Sequence, residues 1–385
     1  MSLPTSSFGS VCHLVNGKAF KPTDWSGAGV PIIRIQNLNG PDKPFNYWAG
    51  ALGNQVVVKT GDLLLAWSGT PGTSFGAHIW SGPNGILNQH IFRCDLDQKA
   101  ITKEWARIAV NHRLYRLIEQ AHGGVGLQHV TRGMVEDLEI PLPPLAEQRR
   151  IAEVLDRAEA LRAKRRAALA QLDSLTQSLF LDLFGDPLSN PKAWSLRKLH
   201  DVLDLITYGL TVRPEYVSIG IPLISAKEIR GGTVAVEMAA KISQEDFDRL
   251  SHKAKPVTGD VLFSKTGSIG HTAVVTSERP IALAQNVARL TFKQKLVDQT
   301  YALQYFRTDS IQDFAQRSGR GNAVKDLQLG VMEQFPFPLP PLELQQDFAR
   351  RVRAVEKLKT AQRASLAEMD ALFAALQYRA FRGEL

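Results

Sequence analysis

The sequence predicts an α+β protein with an internal pseudo-two-fold duplication, in which two β-rich globular domains are separated by two long helices forming an antiparallel coiled coil. Three observations carry this reading. Short motifs recur in the same order in both halves of the chain. The segments around them are apolar runs broken by Gly, Pro and Asn, the pattern of strands and tight turns. Two later stretches lack Pro and Gly altogether and space their apolar residues by three and four.

Taken in chain order, Val30-Pro31-Ile32-Ile33 matches Ile221-Pro222-Leu223-Ile224. Thr60-Gly61-Asp62-Leu63-Leu64-Leu65 then matches Thr258-Gly259-Asp260-Val261-Leu262-Phe263. A small-residue loop follows in each copy, Ser68 to Gly72 and Thr266 to Gly270. The copies close on Pro141-Leu142-Pro143-Pro144-Leu145 with Gln148, and on Pro338-Leu339-Pro340-Pro341-Leu342 with Gln345. The offset between these anchors is nearly constant, and its drift marks loop insertions.

After each Leu-Pro-Pro-Leu the period becomes helical, from Ala146 to Phe184 and from Glu343 to Arg382. Tandem prolines suit such a boundary, because Pro disfavours helix in the residue before it and lacks the donor a helix interior needs. The expected seams run through Ile151, Val154, Ala158, Leu161, Arg165, Ala168, Leu172, Leu175 and Leu179, and through Phe348, Val352, Val355, Leu358, Gln362, Leu366, Met369, Phe373 and Leu376. Such stripes bury themselves against each other or against their own globular domains. Arg165 and Gln362 are the polar interruptions, at equivalent positions, and an antiparallel pairing predicts that they meet as a polar layer fixing the register. The divisions are 1–145, 146–184, 185–342 and 343–385.

A chain of 385 residues with 44% hydrophobic and 22% charged residues is long and apolar enough for two or three packed domains, which excludes a disordered or disulfide-stapled scaffold. No apolar run reaches the roughly 18 residues a membrane span requires. A net charge of +8 favours a polyanionic partner without choosing among them. Only Cys12 and Cys94 are present, and no basic region precedes an apolar N-terminal stretch, so a reducing, cytoplasmic location is expected.

Several chemistries lack their residues. Asn16-Gly17-Lys18-Ala19 has neither the upstream glycine nor the hydroxyl of a nucleotide-binding loop. Ser189-Asn190-Pro191-Lys192 is a poor copy of the tetrad that amino-methyltransferases use, and Gly123-Gly124-Val125-Gly126 leads into polar residues. A metal-dependent nuclease would have to converge Asp42 with Asp97-Gln98-Lys99. Cys12, His13, His90 and Cys94 could ligate zinc, but adjacent Cys12 and His13 have the wrong spacing. No nucleophile, catalytic residue or metal ligand set is therefore predicted.

What remains is polar loops at matching places: Trp67, Ser68, Thr70, Ser74 and His78 against Lys265, Thr266, Ser268 and His271; Asn88, Gln89 and His90 against Gln285 and Asn286; Gln128, His129 and Arg132 against Arg320, Asn322 and Lys325. These side chains carry the donors and acceptors that base edges present in the major groove. Each alone also suits a solvated loop; their recurrence in two diverged copies points to DNA. Arg149-Arg150, Lys164-Arg165-Arg166 and Arg350-Arg351-Arg353 either meet phosphate or face solvent and partners.

With these residues in place, the chain resembles the DNA specificity subunit of type I restriction-modification systems. The resemblance rests on the two Pro-Leu-Pro-Pro-Leu-x-x-x-Gln junctions, the Thr-Gly-Asp anchors, the long helices and the terminal Ala380-Phe381-Arg382-Gly383-Glu384-Leu385, and covers essentially the whole chain. It implies two target-recognition domains reading one bipartite, asymmetric double-stranded DNA sequence. It also implies two modification subunits, which methylate adenine with S-adenosylmethionine, and motor-nuclease subunits using ATP and magnesium, with no cofactor in this chain. Leu344 stands where the first copy has Glu147, a departure at the second junction. A coiled-coil scaffold binding only protein, or a self-sufficient nuclease or methyltransferase, are the rival readings.

Overall fold

The computed structural model describes residues 3–40, 43–54, 56–68, 75–121 (backbone only for 115–121), 131–211, 214–321 and 324–385. The chain divides into two compact units, Met1–Lys164 with Leu366–Leu385, and Arg165–Ser365. Each long helix contributes to both units.

In the first unit, Cys12–Asn16, Ile91–Leu96, Leu63–Ala66 and Gly76–Ile79 form an antiparallel four-stranded sheet in that spatial order. A mixed sheet orders Asn46–Trp48, Val30–Ile33, Gly85–Leu87 and Val57–Val58, with Val30–Ile33 parallel to Gly85–Leu87. Thr5–Ser7 pairs with Glu139–Pro141 just before the proline junction. The second unit repeats this plan. Leu203–Tyr208, Val287–Phe292, Val261–Ser264 and Thr272–Val274 make the four-stranded sheet. Ala240–Ile242, Ile221–Ile224 and Ala282–Leu283 make the mixed one, and Ser195–Lys198 pairs with Pro336–Leu339. The duplication is thus one of topology as well as sequence. The helix Lys103–Ala121 of the first unit is answered in the second by Gln299–Arg307 and Asp309–Ser318, separated at Thr308.

The Thr-Gly-Asp anchors are turns whose last residue caps itself. Asp62 Oδ2 accepts from Lys59 N at 2.8 Å, and Asp260 Oδ2 from Val257 N at 2.7 Å. Gly61 (φ 91°) and Gly259 (φ 96°) sit in the left-handed region open mainly to glycine. In the second unit the same carboxylate is buried and neutralised: Arg289 Nε donates to Asp260 Oδ2 at 2.6 Å and Thr291 Oγ1 to Oδ1 at 2.6 Å. Arg93, at the matching strand position opposite Leu64, binds Asp95 at the surface instead.

The helices Leu145–Phe184 (40 residues) and Leu342–Ala380 (39 residues) each span about 60 Å at 1.5 Å per residue. Each has a fully buried glutamine as its fourth residue, Gln148 or Gln345. Gln148 Oε1 accepts from Thr102 N (2.9 Å), while its Nε2 donates to Ala100 O and Pro143 O (2.8 Å each). Gln345 repeats the arrangement with Asp298 N (2.9 Å), Leu296 O (3.0 Å) and Pro340 O (2.8 Å). Beside each clamp an aromatic donates to the proline strand, Trp105 Nε1 to Pro141 O and Tyr301 hydroxyl to Pro338 O, at 2.8 and 2.7 Å. Phe381 stacks on Trp105 in the first unit, as Phe184 packs edge-on against Tyr301 in the second. At the departure noted above, Leu344 packs against the second unit's core, and Asp347 pairs with Arg350 and Arg351 where the first copy pairs Glu147 with Arg150.

Within each unit the two helix segments run antiparallel. Arg162 bridges to Asp370 and lies over the Phe373 ring in the first unit, while Phe180 and Phe184 meet Phe348 in the second. Also in the second, Lys359 is buried and reaches Asp173, and Arg165 Nη1 donates to Gln362 Oε1. The buried faces depart from the expected seams, because Leu161, Leu175 and Leu358 are exposed while Leu155, Thr176 and Phe180 turn inward. A stripe drawn with a strict seven-residue repeat drifts about 20° per heptad around a straight helix, which accounts for the slip.

Truncating either clamp, Gln148→Ala or Gln345→Ala, leaves one backbone N–H and two carbonyls without their partner, and we expect a loss of about 1–3 kcal/mol in each case, measured by denaturant unfolding. For the polar layer, replacing both Arg165 and Gln362 by Leu is expected to preserve or raise the melting temperature, because a part-buried guanidinium met only by a neutral amide costs more desolvation than the hydrogen bond returns. A markedly lower melting temperature in the double variant would contradict this.

Candidate nucleic-acid interface

In the second unit, the turn Ala284–Val287 is closed by Val287 N donating to Ala284 O (3.2 Å), and it is fixed to the neighbouring strand end by Lys265 N donating to Asn286 O (2.9 Å). Residues 320 and 326 bridge as an antiparallel pair, with N to O distances of 2.9 and 2.8 Å, and this brings Asp326 beside Lys265 and Thr266. A cavity of about 550 Å3 opens there, lined by Leu210, Thr211, Pro214, Tyr216, Leu223, Ser225, Lys265, Thr266, Ala284, Gln285, Asn286 and Asp326. Lys265 is buried, its Nζ 2.6 Å from Asp326 Oδ1 and 5.4 Å from the Tyr208 ring centroid. Partial burial alone would raise the Asp326 carboxyl, but hydrogen bonds from Lys265 and Thr266 outweigh it and hold its pKa below the ordinary aspartate value. The cavity therefore presents a neutralised ion pair and neutral amides, a surface suited to hydrogen-bond selection more than to bulk charge attraction.

The first unit uses the same backbone frame with other side chains. Trp67 N donates to His90 O (3.4 Å) and Ile91 N to Asn88 O (3.3 Å). The Trp67 and His90 rings lie 5.3 Å apart, with Ser68 and Gln89 next to them in sequence. Arg34, on the strand-end position that Ser225 occupies in the other copy, lies 5.0 Å over the Trp25 ring and donates to Asn46 Oδ1 at 2.9 Å.

Of the sequence-derived candidates, Lys265, Gln285 and Asn286 share one cavity, and Trp67 and His90 share one contact. Others stand apart. His78 lines a separate cavity of about 340 Å3 with Arg107 and Asn111. Arg132 is an exposed helix residue paired with Glu136 (2.7 Å), and Lys325 Nζ donates to Gln316 O (3.2 Å). Ser268 and His271 are exposed, and Arg320 enters the frame through its backbone. Thr70, Ser74, Gln128, His129 and Asn322 lie outside the described residues, as does Asp42. Asp326, Tyr216 and Ser225 were not foreseen. An acid is passed over when cations are sought, although Tyr216 aligns with Trp25 once the Pro-containing strands are superposed.

Asp97 Oδ1 accepts from Lys99 N (3.0 Å) within its own turn. Cys12 and Cys94 are buried on paired strands, and the contact with Cys12, together with burial, pushes the Cys94 thiol well up. Among the described residues no group of three or more His, Cys, Asp or Glu could hold a metal ion, and no helix is long and apolar enough to cross a membrane.

The model of the type I restriction modification DNA specificity domain matches the sequence twice, over residues 4–171 and 191–368. The chain belongs to the type I restriction-modification DNA specificity family. The two matches coincide with the two topological copies. Among members of this family, the type I restriction enzyme EcoBI specificity subunit of Escherichia coli is 27% identical over 98% of this chain and 85% of its own. The MjaVIII specificity subunit of Methanocaldococcus jannaschii is 21% identical over 79% and 74%. In fold, the type I S subunit from M. genitalium aligns at a TM-score of 0.57 and 14% identity, over 98% of this chain and 96% of that one. A chain from a structure on complex assembly and conformational transition of the type I R-M system aligns at 0.60 and 18%, over 100% and 98%. Specificity for DNA is thus the family's function, and in the paired frames above the two copies carry different side chains on one backbone arrangement.

Because the folded pKa of Asp326 is depressed, its stabilising contribution is complete above the ordinary aspartate range and is lost as pH falls through the lowered value. We expect the stability gap between the wild type and Asp326→Asn to close as pH is lowered from about 7 to about 3. A gap independent of pH, read from denaturant midpoints, would contradict the assignment.

Proposed function

We propose that this chain reads a bipartite, asymmetric sequence in double-stranded DNA, the first unit one half-site and the second unit the other, and performs no catalysis itself. The supporting observation is a single backbone frame, built from the 88–91 and 284–287 turns and their bonds to residues 67 and 265, that carries different side chains in the two copies. Trp67 and His90 occupy in one what Lys265 and Asn286 occupy in the other. Unlike readers make a non-palindromic target. Further reading candidates are Ser68, Thr70, Gln89, Gln128 and His129 in the first unit, and Ser268, Gln285, Arg320, Asn322 and Lys325 in the second, while His78, on a strand, and Arg132, on a helix and paired with Glu136, stand apart from the frame.

Partners supply the chemistry in this reading. Two modification subunits bring S-adenosylmethionine and methylate adenine at N6, which requires the base to leave the stack into a pocket of theirs. Motor-nuclease subunits bring ATP and magnesium, and the assembly works in the cytoplasm. The duplication of the whole fold, one family match to each copy, supports two equivalent attachment places. Linking two readers in one chain also multiplies modest half-site affinities through effective concentration.

Exchanging residues 1–140 for the first domain of another family member is expected to change one half of the methylated motif and leave the other intact, as read by methylome sequencing. Both halves changing together would contradict independent reading, and an unchanged motif would favour a protein-only scaffold.

A further inference from the structure

The buried polar atoms that lack a hydrogen bond among the described residues include Trp25 Nε1, Gln89 Oε1 and His90 Nδ1 in the first unit and Asn286 Oδ1 in the second. Arg113 Nε and Thr176 Oγ1 also lack one, on the helices Lys103–Ala121 and Leu145–Phe184, but two of the atoms fall at one matched position of the two copies. His90 and Asn286 are the same position of the frame, the residue whose carbonyl receives the backbone N–H of 67 or 265 and which precedes the strand start at Ile91 or Val287. A buried polar atom left unpaired costs about 1–3 kcal/mol, so its repetition at one position of two diverged copies marks a place that awaits a partner.

Chemistry decides what that partner is in the second unit. Asn286 is half-buried on the wall of the 550 Å3 cavity, and its main chain is fixed on both sides by the turn and by Lys265. Its neighbours already satisfy each other: Lys265 and Thr266 both donate to Asp326. Of the two carboxamides that line the cavity, Gln285 is exposed, and Asn286 is the one whose Oδ1 is buried with no partner among the described residues. A carboxamide offers one acceptor and one donor about as far apart as N6 and N7 of adenine, and no other base edge in the major groove presents that donor and acceptor side by side.

We propose that Asn286 is a specificity-determining residue that reads one adenine of the second half-site, its Oδ1 accepting from the 6-amino group and its Nδ2 donating to N7. The inference rests on the reading of the second unit as a DNA reader and adds the base and the atoms. In the free chain Oδ1 is shielded from solvent as well as unpaired, so reading requires the side-chain amide to turn its edge into the cavity, where Oδ1 gains the hydrogen bond it lacks. His90, with ring nitrogens in place of a carboxamide, cannot offer the same pair, so the base read at the equivalent step of the first half-site differs.

The test uses the assembled complex of this chain with its modification subunits, on duplexes carrying the motif found by methylome sequencing. Each adenine of the second half-site is replaced in turn by purine, which lacks the 6-amino group. The wild-type complex is expected to lose about 5- to 150-fold in affinity at one of these adenines, other than the methylated one. The Asn286→Ala complex should bind the natural duplex weaker by a similar factor and be indifferent to purine at that position. Asn286→Asp, which keeps the size and an acceptor, should retain sensitivity to the 6-amino group and lose sensitivity to 7-deazaadenine. Losses from variant and base analogue that simply multiply at every position would overturn the assignment, as would a second half-site without a further adenine. If exchanging residues 185–342 leaves the motif unchanged, the failure lies instead with the reading of the second unit as a DNA reader.

Discussion

Each long helix is joined to its β-rich unit by one fully buried side-chain amide that makes three backbone hydrogen bonds. A glutamine is suited to this task because it is neutral, so burial carries no ionic penalty, and because it donates twice and accepts at the same tip. Gln148 takes the N–H of Thr102 and the carbonyls of Ala100 and Pro143; Gln345 does the same with Asp298, Leu296 and Pro340. The clamp fixes the first turn of the helix against the strand and helix starts of the globular part, and the prolines before it bar the helix from extending backward. Trp105 and Tyr301, donating to the neighbouring proline carbonyls, brace it from the core side.

From that constraint the rest of each unit follows. The strand before the junction pairs with the strand that opens the copy, Glu139–Pro141 with Thr5–Ser7 and Pro336–Leu339 with Ser195–Lys198, so the copy closes where the helix departs. Inside this closure the Thr-Gly-Asp turn sets the central strand, and the strand end carries residue 67 or 265 toward the turn at 88–91 or 284–287. The scaffold is held by backbone hydrogen bonds and buried apolar residues, leaving the side chains at its rim free to diverge. Phe20, Ile32 and Ile86 in one unit and Leu223, Ile242 and Ala282 in the other keep the mixed sheets apolar while the rim changes from indole and imidazole to ammonium and carboxamide.

Local signals were legible in the sequence, and the duplication carried one tertiary contact with them, Arg165 against Gln362, whereas most tertiary signals were not legible. Proline junctions, glycine turns and the absence of helix breakers act within a few residues, so the duplication, the strand anchors and both long helices could be read directly. The seams slipped at Leu161, Leu175 and Leu358 because helix phase over forty residues depends on the partner helix as well as the apolar pattern. Asp326 escaped notice because its role arises from the bridge between residues 320 and 326 and from Lys265, sixty-one residues earlier, neither of which has a local signature. The single glutamines were visible as motif letters, but their three-bond geometry required the backbone groups of residues 100–102 and 296–298.

If this chain, through two unlike readers on one repeated frame, directs where DNA is modified, removing it must change which sites are modified. The most direct measurement is methylome sequencing of host cells with and without it. One bipartite, non-palindromic motif bearing N6-methyladenine is expected to disappear when the chain is removed and to return when it is restored. A methylome that stays unchanged, or the loss of a palindromic motif, would contradict it.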